Sequence, residues 1–171
     1  MQSQSSLFDV SVKKLGEDNS QTIGSLCENS KAVLVVNVAS AWGLTDSNYK
    51  QLVQMHNSMS ERGLQILGFP CNQFNNQEPG TPEEIQAFVN NKHGVHFPLF
   101  EKIDVNGPDT HPVYQFLRQN SELHNAKKNV SDNIPWSWSK FLINSDGQVV
   151  KFYKPIIYPK EIIPDIEELL S

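Results

Sequence analysis

The sequence predicts one α/β domain, and three observations predict it. Residues 32–38 are rich in β-branched residues and apolar on both parities, the pattern of a strand buried on both faces, and residues 64–69 read as a second buried strand. Between them, residues 45–62 carry Tyr49, Leu52, Val53, His56 and Met59 at helical spacing, and Gly63 closes the segment. Such a strand–helix–strand unit is a right-handed parallel crossover. Finally, the 171 residues hold no internal repeat and no linker, so residues 1–171 form a single domain large enough for a proper core.

The other elements follow in order. Residues 7–12 and 21–23 read as short strands around the polar turn Gly16-Glu17-Asp18-Asn19, an N-terminal β-hairpin. After the first buried strand comes a short turn, 39–44, leading directly into the long helix. The loop 70–80 is polar and rich in Asn and Gln. Thr81 then caps a helix, with Pro82 at its first position, Glu84 reaching back to complete a capping box, and Ile85, Phe88 and Val89 on its buried side. Residues 111–120 read as a further helix and 121–135 as a polar connection. Residues 141–143 and 148–153 flank Asn144-Ser145-Asp146-Gly147, a hairpin with its turn signal in place. Residues 161–170 close the chain as a helix with Pro164 in its first turn.

Composition excludes more than it selects. A formal net charge of -5 argues against nucleic acid or an anionic membrane as the main partner. No apolar run approaches the roughly 18–20 residues that span a bilayer, and the polar start at residues 1–6 lacks the features of a signal peptide. The expected compartment is therefore the cytoplasm. The two cysteines, Cys27 and Cys71, do not make a disulfide framework. Of the 5 histidines, His93 and His96 stand closest, with no carboxylate or further His at ligand spacing, so no metal is expected. Asn129-Val130-Ser131 fits a glycosylation pattern by chance.

In open α/β sheets a site forms beyond the carboxyl ends of the strands, here at the turn after Val38 and the loop after Phe69. A thiolate or selenolate at the start of the long helix would be stabilised by unpaired N–H groups and by the positive end of the helix dipole. Four blocks then carry a specific resemblance. Asn37-Val38-Ala39-Ser40-Ala41-Trp42-Gly43-Leu44-Thr45, with Tyr49 following, resembles a glutathione peroxidase signature in which position 42 is selenocysteine or cysteine. Leu67-Gly68-Phe69-Pro70-Cys71-Asn72-Gln73-Phe74, followed by Gln77-Glu78-Pro79-Gly80, resembles its second block. The third is Phe97-Pro98-Leu99-Phe100 with Lys102-Ile103-Asp104-Val105-Asn106-Gly107, and the fourth is Ile134-Pro135-Trp136-Ser137-Trp138-Ser139-Lys140-Phe141-Leu142. Together they run from about residue 8 to the C-terminus.

The resemblance implies a thioredoxin-like fold, a central mixed β-sheet flanked by helices, and a peroxidase that reduces hydrogen peroxide and organic or lipid hydroperoxides. It places the catalytic tetrad at Trp42, Gln77, Trp136 and Ser137. The amide of Gln77 and the indole of Trp136 are the expected donors to the anion and the peroxide oxygens. Ser137 stands where the family has Asn, and Asn75, where the family has Gly, suits a left-handed turn. Trp42 is the serious departure, because an indole has no ionisable thiol and forms no sulfenic or selenenic intermediate. Either a selenocysteine codon, UGA, has been read as the Trp codon UGG, or Trp42 is genuine and the chain is a non-enzymatic relative; a deliberate replacement stands beside these. The retained Gln77 and Trp136 favour the first, and the change at Ser137 leans toward the second.

Thioredoxin-dependent relatives carry a resolving cysteine in the helix around residues 88–93, which here reads Phe88-Val89-Asn90-Asn91-Lys92-His93. The resemblance therefore implies glutathione, or another small thiol, as reducing co-substrate, with no bound cofactor. The short segment 108–130 resembles the compact branch of the family, typically monomeric and open enough for phospholipid hydroperoxides. Cys71 reads as a structural thiol beside the site, Trp138 as core packing, His56 and Met59 as half-buried structure, and Lys127 and Lys128 as solvated surface.

Overall fold

The computed structural model describes residues 6–171; of the polar start searched for a signal peptide, residues 1–5 lie outside the described residues. Strand β3 (Ala32–Val38) and strand β4 (Leu64–Pro70) pair in parallel, in register from Ala32 opposite Leu64 to Val38 opposite Pro70. Helix α2 (Thr45–Met59) connects them, as the periodicity requires. A 3-10 turn over Ser60–Arg62 replaces the predicted last helical turn, and Gly63, at φ 115°, supplies a left-handed stop that only glycine adopts freely. Strand β7 (Lys140–Asn144) pairs antiparallel with β3, and β8 (Val149–Tyr153) with β7, giving the sheet order β4-β3-β7-β8. This mixed sheet with flanking helices is the expected thioredoxin-like arrangement.

Every residue of β3 is buried, and the two parities face two cores. Val33 and Val35 join Leu67, Phe69, Phe141 and the apolar side of helix α4 (Pro112–Gln119). Leu34, Val36 and Val38 join Tyr49 and Leu52 of α2, Trp138, and Ile166 and Leu170 of the C-terminal helix α5 (Ile163–Leu170). Double burial is what an all-apolar strand needs, and it makes β3 the axis of the molecule.

Several local expectations need correction. Residues 7–12 are not one strand: Leu7–Asp9 forms a 3-10 turn capped by Ser6, and only β1 (Ser11–Lys13) pairs with β2 (Ser20–Thr22). Ile23 opens a four-residue helix, α1 (Ile23–Leu26), because the Thr22 hydroxyl accepts the Ser25 N–H and caps it. Helix α3 (Pro82–Phe88) has the predicted Thr81–Glu84 capping box but ends at Phe88, and Val89–His93 continues as a wider π-helical turn. The polar connection contains a small hairpin, β5 (His124–Asn125) with β6 (Val130–Ser131). The last helix is preceded by a 3-10 turn over Pro159–Ile162, and α5 itself starts at Ile163 with Pro164 in its first turn.

Candidate active site

The carboxyl ends of β3 and β4 are tied together where Cys71 N–H donates to the Val38 carbonyl at 3.2 Å. From there the chain turns through residues 39–44 into α2. Thr45 builds the turn: its hydroxyl donates to the Ala39 carbonyl (2.8 Å) and accepts the Trp42 N–H (3.1 Å), while its own N–H donates to the Trp42 carbonyl (3.0 Å). Residue 42 is thereby fixed one turn ahead of α2, and Leu44, at the cap position, offers no side-chain cap. The dipole end and free N–H groups of α2 remain directed to this place.

The loop after β4 is stitched to the turn by Ala41 N–H donating to the Gln77 carbonyl at 3.1 Å. Asn75 and Asn76 both take left-handed backbone (φ 56° and 53°), as expected for Asn75. The side chains of Gln73 and Asn106 knit three loops together. Gln73 Oε1 accepts Val105 N–H (2.7 Å), and Asn106 exchanges two hydrogen bonds with the backbone of Ile134 (2.8 and 2.9 Å). Gly68 lets the segment carrying Leu99 lie against β4, since a Cβ there would collide with the Leu99 side chain.

Asn37, at the end of β3, holds the fourth block. Its amide donates to the Trp136 carbonyl (3.1 Å), and its own carbonyl accepts Trp138 N–H (2.7 Å). Trp138 sits at φ 69°, an unusual place for a bulky residue, and is fully buried with its ring edge-on to Tyr49, centroids 4.8 Å apart. It packs the core, as the sequence indicated.

Three of the four expected site residues converge. Trp42 and Trp136 stand with ring centroids 6.3 Å apart, and Trp136 Nε1–H donates to Gln77 Oε1 at 3.2 Å. The expectation that both groups aim at an anion is corrected to this extent: the indole donor engages Gln77, whose amide N–H₂ is left to donate outward. Trp42 is half-buried, packed against the α2 side of the core, whereas Trp136 packs against the other core and Phe74. The site thus lies where the two cores meet. Ser137 is the residue that does not join: it is fully buried and its hydroxyl has no hydrogen-bond partner.

A cleft of about 580 Å³ opens beside these rings, walled by Leu123, Pro135, Phe152, Pro155 and Ile156, with Asp132 and Lys154 as its charged members. Burial pushes the Cys71 thiol above its ordinary value and the Cys27 thiol up to about 12, so neither is poised as a thiolate at neutral pH. Among the described residues no group of three or more His, Cys, Asp or Glu side chains gathers as metal ligands.

One residue the sequence reading left without a role is Glu78. It is fully buried beside Gln77, and neither carboxyl oxygen has a hydrogen-bond partner. Burial pushes it up to about 7; the hydroxyl and N–H of Ser40, the donors facing it, and the charge of Lys102 offset part of that. The available signal was a single acid in a loop rich in Asn and Gln.

The sequence model of the glutathione peroxidase family matches residues 7–118. A Schistosoma mansoni glutathione peroxidase is 49% identical over 138 residues, 81% of this chain and 79% of that protein. The chloroplastic phospholipid hydroperoxide glutathione peroxidase of Pisum sativum is 46% identical over 141 residues, 82% of this chain; the match spans 58% of the pea protein's length. The crystal structure of T. cruzi GPX1 superposes with a TM-score of 0.72 at 27% identity, covering 96% of each chain.

Proposed function

Because the chain belongs to the glutathione peroxidase family, we propose that it descends from a working thiol peroxidase whose nucleophile occupies position 42 as selenocysteine or cysteine. The observation that carries this reading is the Trp136–Gln77 hydrogen bond beside residue 42 at the head of α2. The Trp136 ring also packs against Phe74, but its bond to Gln77 leaves an amide donor beside residue 42, which suits a site that stabilises an anion.

With a thiolate or selenolate at position 42, the chalcogen attacks one oxygen of a hydroperoxide. A chalcogen–oxygen bond forms, the O–O bond breaks, and the departing alkoxide takes a proton to leave as an alcohol. One glutathione then displaces water from the oxidised residue to give a mixed disulfide or its selenium counterpart. A second glutathione releases glutathione disulfide and restores the nucleophile. The Gln77 amide stabilises the anion, held in place by the Trp136 indole N–H. No cysteine lies in Val89–His93, and Cys27 and Cys71 are buried, which supports an external thiol over an internal resolving one. Hydrogen peroxide and organic or lipid hydroperoxides are the substrates, in keeping with relatives named for phospholipid hydroperoxides. No helix among the described residues is long and apolar enough to cross a membrane. In this reading the protein acts as a monomer in the cytoplasm, in defence against oxidants.

As it stands, with Trp42, the chain is inactive. Trp42→Cys should raise glutathione-dependent peroxide turnover about a hundredfold or more above the Trp42 chain, the scale of a positioned nucleophile with its anion donors. A folded Trp42→Cys protein no faster than its parent would sink the reading. The half-buried seat of Trp42 against Trp136 favours a second reading, a binding module derived from a peroxidase with a genuine tryptophan. Peptide mass spectrometry across residue 42 of the natively purified protein separates the two.

A further inference from the structure

We propose that Glu78 is a positioning residue of the peroxide site, a buried carboxyl behind the active turn whose charge state is coupled to the anion at position 42. The inference rests on the reading of position 42 as a thiol or selenol.

The geometry is a cluster of buried polar groups without partners. Both carboxyl oxygens of Glu78, the Ser40 hydroxyl and the Tyr49 hydroxyl are buried without a hydrogen bond of ordinary geometry, and the hydroxyl and N–H of Ser40 are the donors that face the carboxyl. All three belong to elements that carry the site: Ser40 to the turn that holds residue 42, Tyr49 to α2, and Glu78 to the loop bonded to Ala41 through Gln77. The Glu78 main chain is pinned, its N–H donating to Asn72 Oδ1 at 2.9 Å, so the side chain is held in this place. Buried polar groups are nearly always paired, and a carboxylate left open inside a fold is a recurring mark of a functional site.

Lys102, Tyr49 and Cys71 are the titratable groups within its field, and Ser40 faces it from the turn. Of these only Lys102 is a cation; its ammonium donates to the Gly80 carbonyl at 2.8 Å and forms no ion pair with Glu78. A carboxyl so lightly compensated stays neutral more readily than it ionises. While neutral, it leaves the turn free to hold a negative chalcogen; once ionised, it opposes one. Two such groups lose their protons as a pair rather than independently.

The test needs no peroxidase activity. Ionisation of the thiol introduced at position 42 is followed in Trp42→Cys and in Trp42→Cys with Glu78→Gln. The readouts are thiolate absorbance and iodoacetamide alkylation against pH, with the Trp42 chain as baseline for Cys27 and Cys71. Coupling predicts a thiol titration spread over two steps with Glu78 present and a single step with Gln. It also predicts alkylation about threefold to tenfold faster at about pH 7.5 in the Gln variant, the effect of removing one nearby charge. Identical midpoints and slopes in two folded proteins overturn the proposal. If Glu78→Gln fails to fold, infrared difference spectra of the Trp42 and Trp42→Cys chains decide instead. The protonated-carboxyl band must persist to higher pH in the Trp42→Cys chain, and loss over the same pH interval in both overturns coupling. Coupling without turnover would leave this inference standing while the peroxidase reading falls; turnover without coupling would do the reverse.

Discussion

Lys140 and Glu78 are both fully buried, yet the molecule keeps them in opposite ways. Lys140, at the start of β7, donates to the carbonyls of Ile157 (2.7 Å) and Pro155 (3.3 Å), tying the segment that walls the cleft to the central sheet. Burial pushes it down to about 7, with Glu161 offsetting part of the shift. Glu78 faces the donors of Ser40 with no hydrogen bond of ordinary geometry at either oxygen. A buried ionisable group that meets its partners ties elements of the fold together. One that does not is a standing cost, and it persists only where something other than stability keeps it.

The two have opposite signatures in pH, and the largest expected effect tests the first. Lys140→Ala should cost about 3–5 kcal/mol in urea denaturation, from the lost stem and two abandoned carbonyls. In the parent chain the unfolded state binds the Lys140 proton more strongly than the folded state. Stability attributable to Lys140 should therefore rise with pH from about 7 toward 10.5, and the Ala variant should lose that rise.

Glu78 should act the other way, because its folded state holds the proton more tightly than the unfolded chain does. Its contribution is full below 4.5 and is lost as pH climbs through about 7. The decline is on the order of 3 kcal/mol, and Glu78→Gln should flatten it. An unchanged slope in the Gln variant would show that the contrast with Lys140 is mistaken.

The smallest effect sharpens the comparison. The Tyr49 hydroxyl is buried without a partner, so Tyr49→Phe should be neutral or stabilising by up to about 1 kcal/mol in the same assay. A loss of similar size would mean that the hydroxyl serves Glu78 through a bound water, and that the pocket behind the turn is less open than its direct bonds indicate.

What the sequence disclosed is what local pattern and motif can carry. The buried strands, α2 and the Thr81 capping box depend on neighbouring residues, and they fall where periodicity put them. The Leu7–Asp9 turn escaped because alternating apolar residues in a short stretch also suit a strand; what bends the chain is the Ser6 cap and a Leu7 N–H bond to Gly147 across the molecule. The convergence of Trp42, Gln77 and Trp136 was legible through the motifs. The disappearance of Ser137 into the core was not, because burial depends on Asn37 gripping both sides of it. Glu78 and Lys140 were illegible as a contrasting pair, since partners within bond length are not written in composition.

The closeness of Trp42 to Trp136, with Trp138 two residues on, has an optical consequence. These are the 3 tryptophans of the chain, and all belong to the site or its floor. Intrinsic emission from this protein therefore reports the site and almost nothing else. Any ligand entering the cleft, or any change at residue 42, should register as a shift or quench without a label being attached.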